Sequence, residues 1–536
     1  MSAAPASDAA PGPWSPLRRP VFRALWIAGL ASNIGTWMQN VGAAWLMTSL
    51  EPTPFWVSMV QAASSLPFFF LAIPAGALAD VVDRRRLLLL ALAWLAATTA
   101  VLAALAFAGR VTPTGLLALT FAIGIGGACA APAFLAIIPE LVPRDEIPAA
   151  MSLNGISMNL ARAAGPALGG LVVAGVGVAA TFATNAVSYG GVFTVIARWR
   201  RASNETRLPP EELFGAMRGG LRYVRHSRPL QVVLARVALF VVPGSAIWAL
   251  LPLYAREQLA LGPIGYGLLL GFFGAGAVLG GLVLQGSRAR FGAQRITTVS
   301  ALAYALGLVL LGAVPTLPVA AVALLVAGAG WLALLTTLSA AAQMTLPGWV
   351  RARGLSVYLL VLFGGLALGS SLWGAGAESV GVPHTFELAG AAVAASRLFV
   401  WRLRLPEGPA PDLSPAPRWP DPQLAASFET EHRPVLVTVE YEIDPADTEA
   451  FAHHMFALGR IRLRDGALRW GLWADAAEPG RYLESFVVES WLEHLRQHER
   501  ITAADRDVQA LAHGFHRGPE PPRVTHFLRE RIPEKS

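Results

Sequence analysis

The sequence has 536 residues, of which 54% are hydrophobic and only 14% are charged. An ordinary soluble domain carries about 25% charged residues, so most of this chain needs lipid as its solvent. The composition excludes a disordered, collagen-like, coiled-coil or nucleic-acid-binding protein as the main interpretation. The single cysteine, Cys129, excludes a disulfide framework and a cysteine-based metal site. The net charge of +7 is typical of a membrane protein with arginines on its cytoplasmic loops.

Residues 1–16 are rich in alanine, proline and serine, a composition that predicts a disordered leader. They lack the basic, apolar and small-residue regions that follow one another in a signal peptide. The first long apolar run is therefore expected to remain in the protein as a membrane span.

Apolar runs then follow along the chain, each with roughly the 20 residues that a membrane-spanning helix needs. The segment 198–229 divides them six and six, and its basic, amphipathic character indicates a short helix at the membrane surface. A plain solvated loop is the alternative for this segment. We predict twelve spans over 21–48, 56–79, 87–109, 114–138, 149–174, 177–197, 230–254, 264–286, 296–314, 317–341, 354–378 and 383–403.

Arginines are distributed unevenly over the segments that flank these spans. One side carries twenty of them, including the run Arg84–Arg86, and the other side carries two, Arg110 and Arg256. Because arginine-rich segments stay in the cytoplasm, this asymmetry predicts that both termini are cytoplasmic. We also expect the protein to lie in the cell inner membrane. Termini on the same side need an even number of spans, which twelve satisfies.

The two halves of the membrane region repeat one another. Sequences composed of a few types of small apolar residue match one another by chance, but several matches here share the same offset of 204 residues. A parallel repeat of two six-helix halves indicates a transporter whose substrate path lies between the halves, near the middle of the membrane. The matches at this offset are Ser152 with Ser356, Gly165 with Gly369 and Gly170 with Gly374. Arg19-Pro20 before the first span also recurs as Arg228-Pro229 before the seventh, at an offset of 209.

The connection between the second and third spans reads GALADVVDRRR. Gly76 permits close approach of two helices, and Asp80 can accept hydrogen bonds from the arginines that follow. Gly76, Asp80, Arg84 and Arg85 match the G-x-x-x-D-x-x-G-R-[KR] signature of major facilitator transporters, with Asp83 where the family usually has glycine. The resemblance implies that this motif locks one conformation. A simple basic loop is the alternative.

The fifth span contains ARAAGPALGG, a run of small residues around a proline. Gly165, Pro166, Gly169 and Gly170 resemble the end of the G-P-x-x-G-G motif of drug and proton antiporters, although the glycines upstream are replaced. Glycine and proline permit close packing and a bend in a membrane helix. Packing without any role in transport is the alternative.

Arg162 lies inside the same span, where a charge is costly and by default a candidate for function. It can attract an anionic substrate, or it can form a structural ion pair with a carboxylate. Several neutral polar residues occur in nearby spans, and three of them share one face of the first span. Such a face suits a cavity for an amphipathic molecule, with polar packing between helices as the alternative. The candidate cavity residues are Asn33, Trp37, Asn40, Gln61, Asn154 and Asn185.

The six-plus-six repeat and the two motifs together resemble the major facilitator superfamily over residues 17–405. The resemblance is closer to its bacterial transmembrane secretion effector branch, which contains enterobactin-exporter-like proteins. It implies export of a siderophore or another small amphipathic compound. The sequence contains no ATP-binding motif, so we expect a proton gradient to drive transport and no cofactor to be needed.

The composition changes after a Pro-rich linker over 405–432, because charged residues return. Patterns over 433–532 follow the order β-α-β-β-α-β, which is ferredoxin-like, with one helix predicted over 491–514. WLEHLRQHERIT resembles small antibiotic-biosynthesis-monooxygenase-like domains, which implies pairing into a homodimer. His494 and His498 lie one helical turn apart and suit a metal or haem, but spacing places no third ligand. We therefore predict no metal and no catalytic residue.

The sequence thus predicts an all-α membrane protein of twelve helices, arranged as two six-helix bundles over 17–197 and 230–404. A small α+β ferredoxin-like domain follows in the cytoplasm. The predicted function is an antiporter that exports a small amphipathic compound across the lipid bilayer. The alternative is a membrane-anchored enzyme or ligand sensor that acts through the C-terminal domain.

Overall fold

The structure is a computed structural model that describes residues 12–199, 213–405, 411–414, 416 and 433–529. The predicted leader up to residue 11 and most of the predicted linker lie outside the described residues. The chain divides into two compact units, the first of which contains the membrane helices. The second unit is assembled from three stretches of chain: Phe214–Val232, Ala341–Leu355 and Gly408–Ser536.

Long helices joined by short turns make up the first unit, and several begin with proline, whose missing N–H has no partner to lose at a helix start. The helices up to the tail are α1 (Pro20–Leu50), α2 (Pro54–Val81), α3 (Arg84–Phe107), α4 (Pro113–Ile137), α5 (Ile147–Gly175), α6 (Val178–Arg198), α7 (Leu213–His226), α8 (Arg228–Gly244), α9 (Ala246–Glu257), α10 (Pro263–Ala313), α11 (Leu317–Met344), α12 (Arg351–Val380) and α13 (Val382–Val400).

These helices account for all the predicted spans within the described chain. Nine helical stretches there are long and apolar enough to cross a membrane, and the less apolar α1, α6 and α13 complete the twelve. The seventh span consists of α8 and α9, which are separated at Ser245. The eighth and ninth spans lie within α10, where Gly292 has a φ of 71° that only glycine adopts readily, and the helix kinks there.

The internal repeat is visible in how the two halves contact each other. A Cβ built on Gly170 of α5 would lie 2.6 Å from the carbonyl oxygen of Pro263 in α10. A Cβ on Gly374 of α12 would meet the side chain of Ser58 and, at 3.1 Å, the carbonyl oxygen of Pro54, both in α2. The glycines are 204 residues apart, and the prolines are 209 apart, as are Pro20 and Pro229. The contact of α5 with α10 and that of α12 with α2 are therefore equivalent under the repeat.

The tail contains an antiparallel sheet of four strands in the order β2-β3-β1-β4, which confirms the ferredoxin-like prediction. The predicted helix over 491–514 is wrong in one respect, because the chain forms two helices there. Thr502 begins the second of them with a capping box that includes Asp505, and this cap breaks the helix. The elements are β1 (Val435–Glu442), α14 (Thr448–Asp465), β2 (Ala467–Ala474), β3 (Arg481–Val488), α15 (Trp491–Arg500), α16 (Ala503–His513) and β4 (Arg523–Leu528).

The helix predicted between the two halves forms as α7 and belongs to the second unit with the tail. Its Arg222 donates to Glu493 of α15 at 2.9 Å, and Glu493 also accepts from Arg500 at 2.6 Å. The Arg500 guanidinium carbon lies 4.7 Å from the ring centroid of Trp349, in the connection between α11 and α12. One largely buried ionic cluster therefore joins three stretches of chain that are far apart in sequence.

Three histidines of the tail lie close together. His494 is 2% exposed, and its Nε2 atom lies 3.0 Å from Nε2 of His526 and 3.2 Å from Nε2 of His498. Burial, with the charges of His498, His526 and Arg462, lowers the pKa of His494 to about 3. The described residues contain no group of three or more His, Cys, Asp or Glu side chains that could hold a metal ion.

We expect the tail to lose stability as the pH falls below 6.5. The unfolded chain binds a proton at His494 near pH 6.5, whereas the folded chain binds it only near pH 3. Between these values the unfolded state carries more protons, so acidification favours it. The free energy of unfolding should fall by up to about 1.4 kcal/mol per pH unit in this window.

Urea unfolding of the full chain in detergent micelles measures this effect. A cysteine introduced at the buried Ala512, on a Cys129→Ser background, reports unfolding of the tail when it is labelled in a short pulse at a fixed pH. His494→Gln should flatten the pH dependence, and His453→Gln, at an exposed position of α14, should leave it unchanged. The explanation fails if His494→Gln keeps the slope of the parent protein.

Candidate functional site

A cavity of about 440 Å³ lies between the two halves of the first unit. The first half supplies nearly all of its polar lining, and the second half supplies an apolar and aromatic wall. The polar lining from the first half is Thr36, Gln39, Asn40, Gln61, Ser64, Ser65, Thr120, Arg162 and Tyr189. The wall from the second half is Ile247, Trp248, Pro252, Tyr266, Leu270, Trp331, Leu335, Leu362, Phe363 and Leu366.

Hydrogen bonds between helices hold part of the polar lining in place. The amide of Asn185 donates to Gln39 Oε1 at 2.6 Å, and the hydroxyls of Thr36 and Tyr189 are 3.1 Å apart. These two bonds join α1 to α6. They fix side chains that would otherwise lose rotamer freedom when a ligand binds, so the polar wall is partly preorganised.

The predicted cavity residues fall into two groups. Trp37, Asn40 and Gln61 line the cavity, as does Arg162 from the fifth span. The remaining three residues are not part of the lining. Asn33 donates to Ser157 Oγ at 3.2 Å, and Asn185 is fully buried on Gln39, so both join helices to each other. Asn154 is half-buried on α5.

Tyr189, Trp248 and Trp331 also line the cavity, and reasoning from the sequence missed them. Tyr189 and Trp248 sit in spans with several aromatic residues, whereas Trp331 is the one aromatic residue of α11. Helical spacing alone does not say which side chains turn towards the other half. Trp248 and Trp331 are 5.7 Å apart between ring centroids and cross edge to face. Their contact makes the aromatic wall continuous from α9 to α11.

Arg162 is the cation of the cavity. No Asp or Glu belongs to the cavity lining that the structure describes. Over the described ranges, no side chain forms an ion pair or a hydrogen bond with its guanidinium group. The structural ion pair considered from the sequence is therefore not formed with any described residue.

The small residues of the fifth span pack α5 between one helix of its own half and one of the other. Gly165 lies against Trp37, and a Cβ on Gly169 would lie 2.9 Å from the Cα of Met38, both in α1. Gly170, on the other side, meets the start of α10. Pro166 lies inside the helix and is buried, one turn from Arg162. The motif thus brings α5 close to two neighbours and places Arg162 beside the cavity.

The loop after α2 contains the other predicted motif. Gly76 of α2 lies against Ser356 near the start of α12, so the glycine is a point of contact between the halves. Asp83, where the family usually has glycine, caps α3 by accepting from the backbone N–H of Arg86 at 2.8 Å. The Asp80 side chain lies outside the part of the chain that the structure describes.

The arginines of this motif connect α3 to its neighbours within the first half. Arg84 forms an ion pair of 3.3 Å with Glu140, beyond the end of α4. Arg85 donates to the carbonyl oxygens of Ile196 at 3.1 Å and Ala197 at 2.7 Å, in the last turn of α6. A cation is favourable at the C-terminal end of a helix, where unpaired carbonyl groups collect. The loop therefore holds three helix ends together.

Solved structures of transporters resemble most of this chain. A nucleoside transporter, NupG, aligns with a TM-score of 0.55 and 12% identity over 72% of this chain and 99% of its own. A POT family transporter aligns with a TM-score of 0.59 and 14% identity over 71% and 95%. At such low identity these similarities show the fold alone, which is that of the major facilitator transporters.

Several proteins of similar sequence are named as transporters or efflux proteins. The multidrug efflux pump Tap of Mycobacterium tuberculosis is 27% identical over 58% of this chain and 76% of its own length. The macrolide efflux protein A of Streptococcus pyogenes is 22% identical over 49% and 65%. The staphyloferrin A transporter of Staphylococcus aureus is 27% identical over 29% of this chain, which spans only 40% of that relative.

The profile of the transmembrane secretion effector family matches residues 11–534, which is nearly the whole chain. This match includes the tail as well as the membrane helices, and the repeat, the cavity and the loop motif all agree with it. The chain belongs to the transmembrane secretion effector family of the major facilitator superfamily.

Proposed function

We propose that the protein is a secondary transporter that exports a small amphipathic compound by alternating access. The observation that carries this proposal is the cavity between the halves, which takes nearly all of its polar side chains from one half and an apolar, aromatic wall from the other. Such a site binds an apolar body and a polar group at the same time. Relatives named as multidrug and macrolide efflux proteins support export. They do not favour the alternative of a membrane-anchored enzyme.

Alternating access needs contacts between the halves that form and separate. The contacts of Gly170 with Pro263 and of Gly374 with Pro54 join opposite halves at the ends of α10 and α2. They involve backbone and the neutral Ser58 side chain at close range, without ion pairs, so they can separate without leaving a charge unpaired in lipid. We propose that they close the side of the membrane opposite the Gly76 loop.

The orientation of the protein in the membrane and the driving force of transport are also proposed. The arginine asymmetry supports termini in the cytoplasm and a place in the cell inner membrane, with the Gly76 loop on the cytoplasmic side. A proton gradient is the proposed driving force, which makes the protein an antiporter. Because the described cavity lining has no carboxylate, the proton is proposed to bind elsewhere than the substrate.

A homodimer formed through the tail is also proposed. Leu436 of β1 lies opposite Phe527 of β4 on the outer face of the sheet, and the two side chains are 37% and 52% exposed. Trp473 of β2 is 62% exposed on the same face. An apolar sheet face of this kind supports pairing with a second copy. Light scattering in detergent should show a dimer that Phe527→Glu converts to a monomer, and a monomeric parent protein would contradict the proposal.

Transport into inside-out membrane vesicles tests the main proposal. We expect energised vesicles that contain the full chain to take up a macrolide or staphyloferrin A, and a protonophore should stop the uptake. Trp248→Ala removes part of the aromatic wall and should lower uptake about tenfold or more, because a large aromatic contact is lost. The matched control Trp401→Ala, at an exposed position beyond α13 and outside the cavity lining, should transport normally. Uptake equal to that of empty-vector vesicles for every compound offered would contradict the function.

A further inference from the structure

We infer that the exported compound carries an anionic group, which binds Arg162 while the apolar body of the compound packs against Trp248 and Trp331. This inference rests on the proposed transport function and adds the class of substrate and its orientation in the cavity. It follows from the charge of the described lining, from the repeat and from the size of the cavity.

The charge of the cavity gives the first argument. Arg162 is half-buried among the lining residues, and no carboxylate belongs to the described lining. A guanidinium group is always charged, and placing it in a membrane without a partner is costly. Since the described chain supplies no counter-charge, an anionic ligand is the partner that offsets this cost. A cationic ligand would meet repulsion at the same place.

The internal repeat gives the second argument, because it shows which residues occupy the equivalent positions in the other half. At the offset of 204 residues, Arg162 corresponds to Leu366, and at the offset of 209, Gln61 corresponds to Leu270. All four side chains line the cavity. At two pairs of positions related by the repeat, the residue is therefore polar in the first half and apolar in the second. The two halves thus contribute different polarity to the cavity. A ligand with one charged end and one apolar end matches it.

The size and shape of the aromatic wall give the third argument. Ligand pockets for drug-sized molecules measure about 300–1,000 Å³, and the cavity volume of about 440 Å³ lies in this range. Trp248 and Trp331 cross at 5.7 Å, and Phe363 stacks on Phe68 at 4.4 Å between ring centroids. These rings offer flat surfaces for an aromatic or aliphatic body in the cavity that Arg162 also lines.

Binding of a matched pair of fluorescent probes tests the inference on the purified full chain. Dansylglycine is anionic at neutral pH, whereas dansylglycinamide has the same apolar body and no charge. Charge-assisted hydrogen bonds are about twice as strong as neutral ones, so we expect dansylglycine to bind about tenfold tighter or more. Energy transfer from tryptophan to the dansyl group reports binding in the cavity.

Variants separate binding of the anion from a structural role of the arginine. Arg162→Gln should remove the preference for dansylglycine while dansylglycinamide still binds, and Arg162→Lys should restore part of it. Arg110→Gln, which removes an exposed arginine outside the cavity, should keep the preference. Added salt should weaken the preference in the parent protein, because it screens the charge.

Two results would overturn the inference. One is equal or absent binding of dansylglycine by the parent protein, and the other is an unchanged preference in Arg162→Gln. Neither result would contradict the proposed transport function, which the uptake of a macrolide or of staphyloferrin A into vesicles decides separately. Conversely, if the protein prefers dansylglycine through Arg162 but transports no compound into vesicles, the anion-binding site is supported and the proposed transport function is wrong.

Discussion

Replacing Glu484 with alanine should lower the free energy of unfolding of the tail by about 3–5 kcal/mol. Glu484 is fully buried, and its carboxylate accepts hydrogen bonds from Arg462 at 3.3 Å, Trp470 at 3.0 Å and Tyr441 at 3.3 Å. Its removal leaves the Arg462 guanidinium group, which is 9% exposed, without its charged partner. The loss of one buried partner is costly because the charge that remains cannot reach water.

A surface ion pair provides the control for this prediction. Glu440→Ala breaks a pair of 3.5 Å with Arg481, in which both side chains are more than a third exposed. Exposed pairs contribute about 0–1 kcal/mol, so the change in stability should be small. The double replacement Glu484→Leu with Arg462→Met should recover much of the loss, because no unpaired charge remains. A change below about 1 kcal/mol for Glu484→Ala, in the urea unfolding measurement described above, would show that water reaches Arg462.

Gly170→Val should reduce transport at least about tenfold while the protein still inserts in the membrane. The Cβ of any larger residue would lie 2.6 Å from the Pro263 carbonyl oxygen, and backbone at that distance has to move apart. Because α5 and α10 belong to opposite halves, the substitution should favour the conformation in which these helices separate. Only interactions that differ between two states shift their populations, and we propose that this contact forms in only one of them.

Cysteine accessibility distinguishes this effect from general damage. On a Cys129→Ser background, a cysteine at the cavity residue Ala44 should react faster in Gly170→Val with a reagent added from the side opposite the Gly76 loop. Gly374→Val should have the same effect, since its contact is equivalent under the repeat. Gly175→Val lies in the same helix with no atom within 4 Å and is the matched control. Transport by Gly170→Val at the rate of the parent protein would show that this contact between α5 and α10 does not have to form during transport.

The positions of the spans were determined by the sequence alone, because a bilayer of fixed thickness demands apolar runs of a fixed length. Prolines such as Pro54 and Pro263 mark helix starts for a local reason, the missing N–H. The repeat was also readable, since equivalent glycines keep their offset when two halves must pack alike. The strand and helix order of the tail followed from the same kind of local pattern.

The tertiary structure decided which polar residues face the cavity. Asn33 and Asn40 share one face of α1, yet Asn33 turns to Ser157 of α5 while Asn40 lines the cavity. Helical spacing places side chains on a face of their own helix, but it does not say which neighbour covers which part of that face. The same limit applies to Arg162, whose lack of a described partner is a property of all the surrounding helices together.

The grouping of α7 and the connection between α11 and α12 with the tail was likewise decided by the tertiary structure. Arg222 and Glu493 are 271 residues apart, and charged residues on two surface helices have no pattern that reveals their pairing. The capping box at Thr502 is local and readable in principle, whereas the ion pair exists only because folding brings two distant helices together. Local interactions therefore determined the elements of this protein, and long-range packing determined its cavity and its ionic cluster.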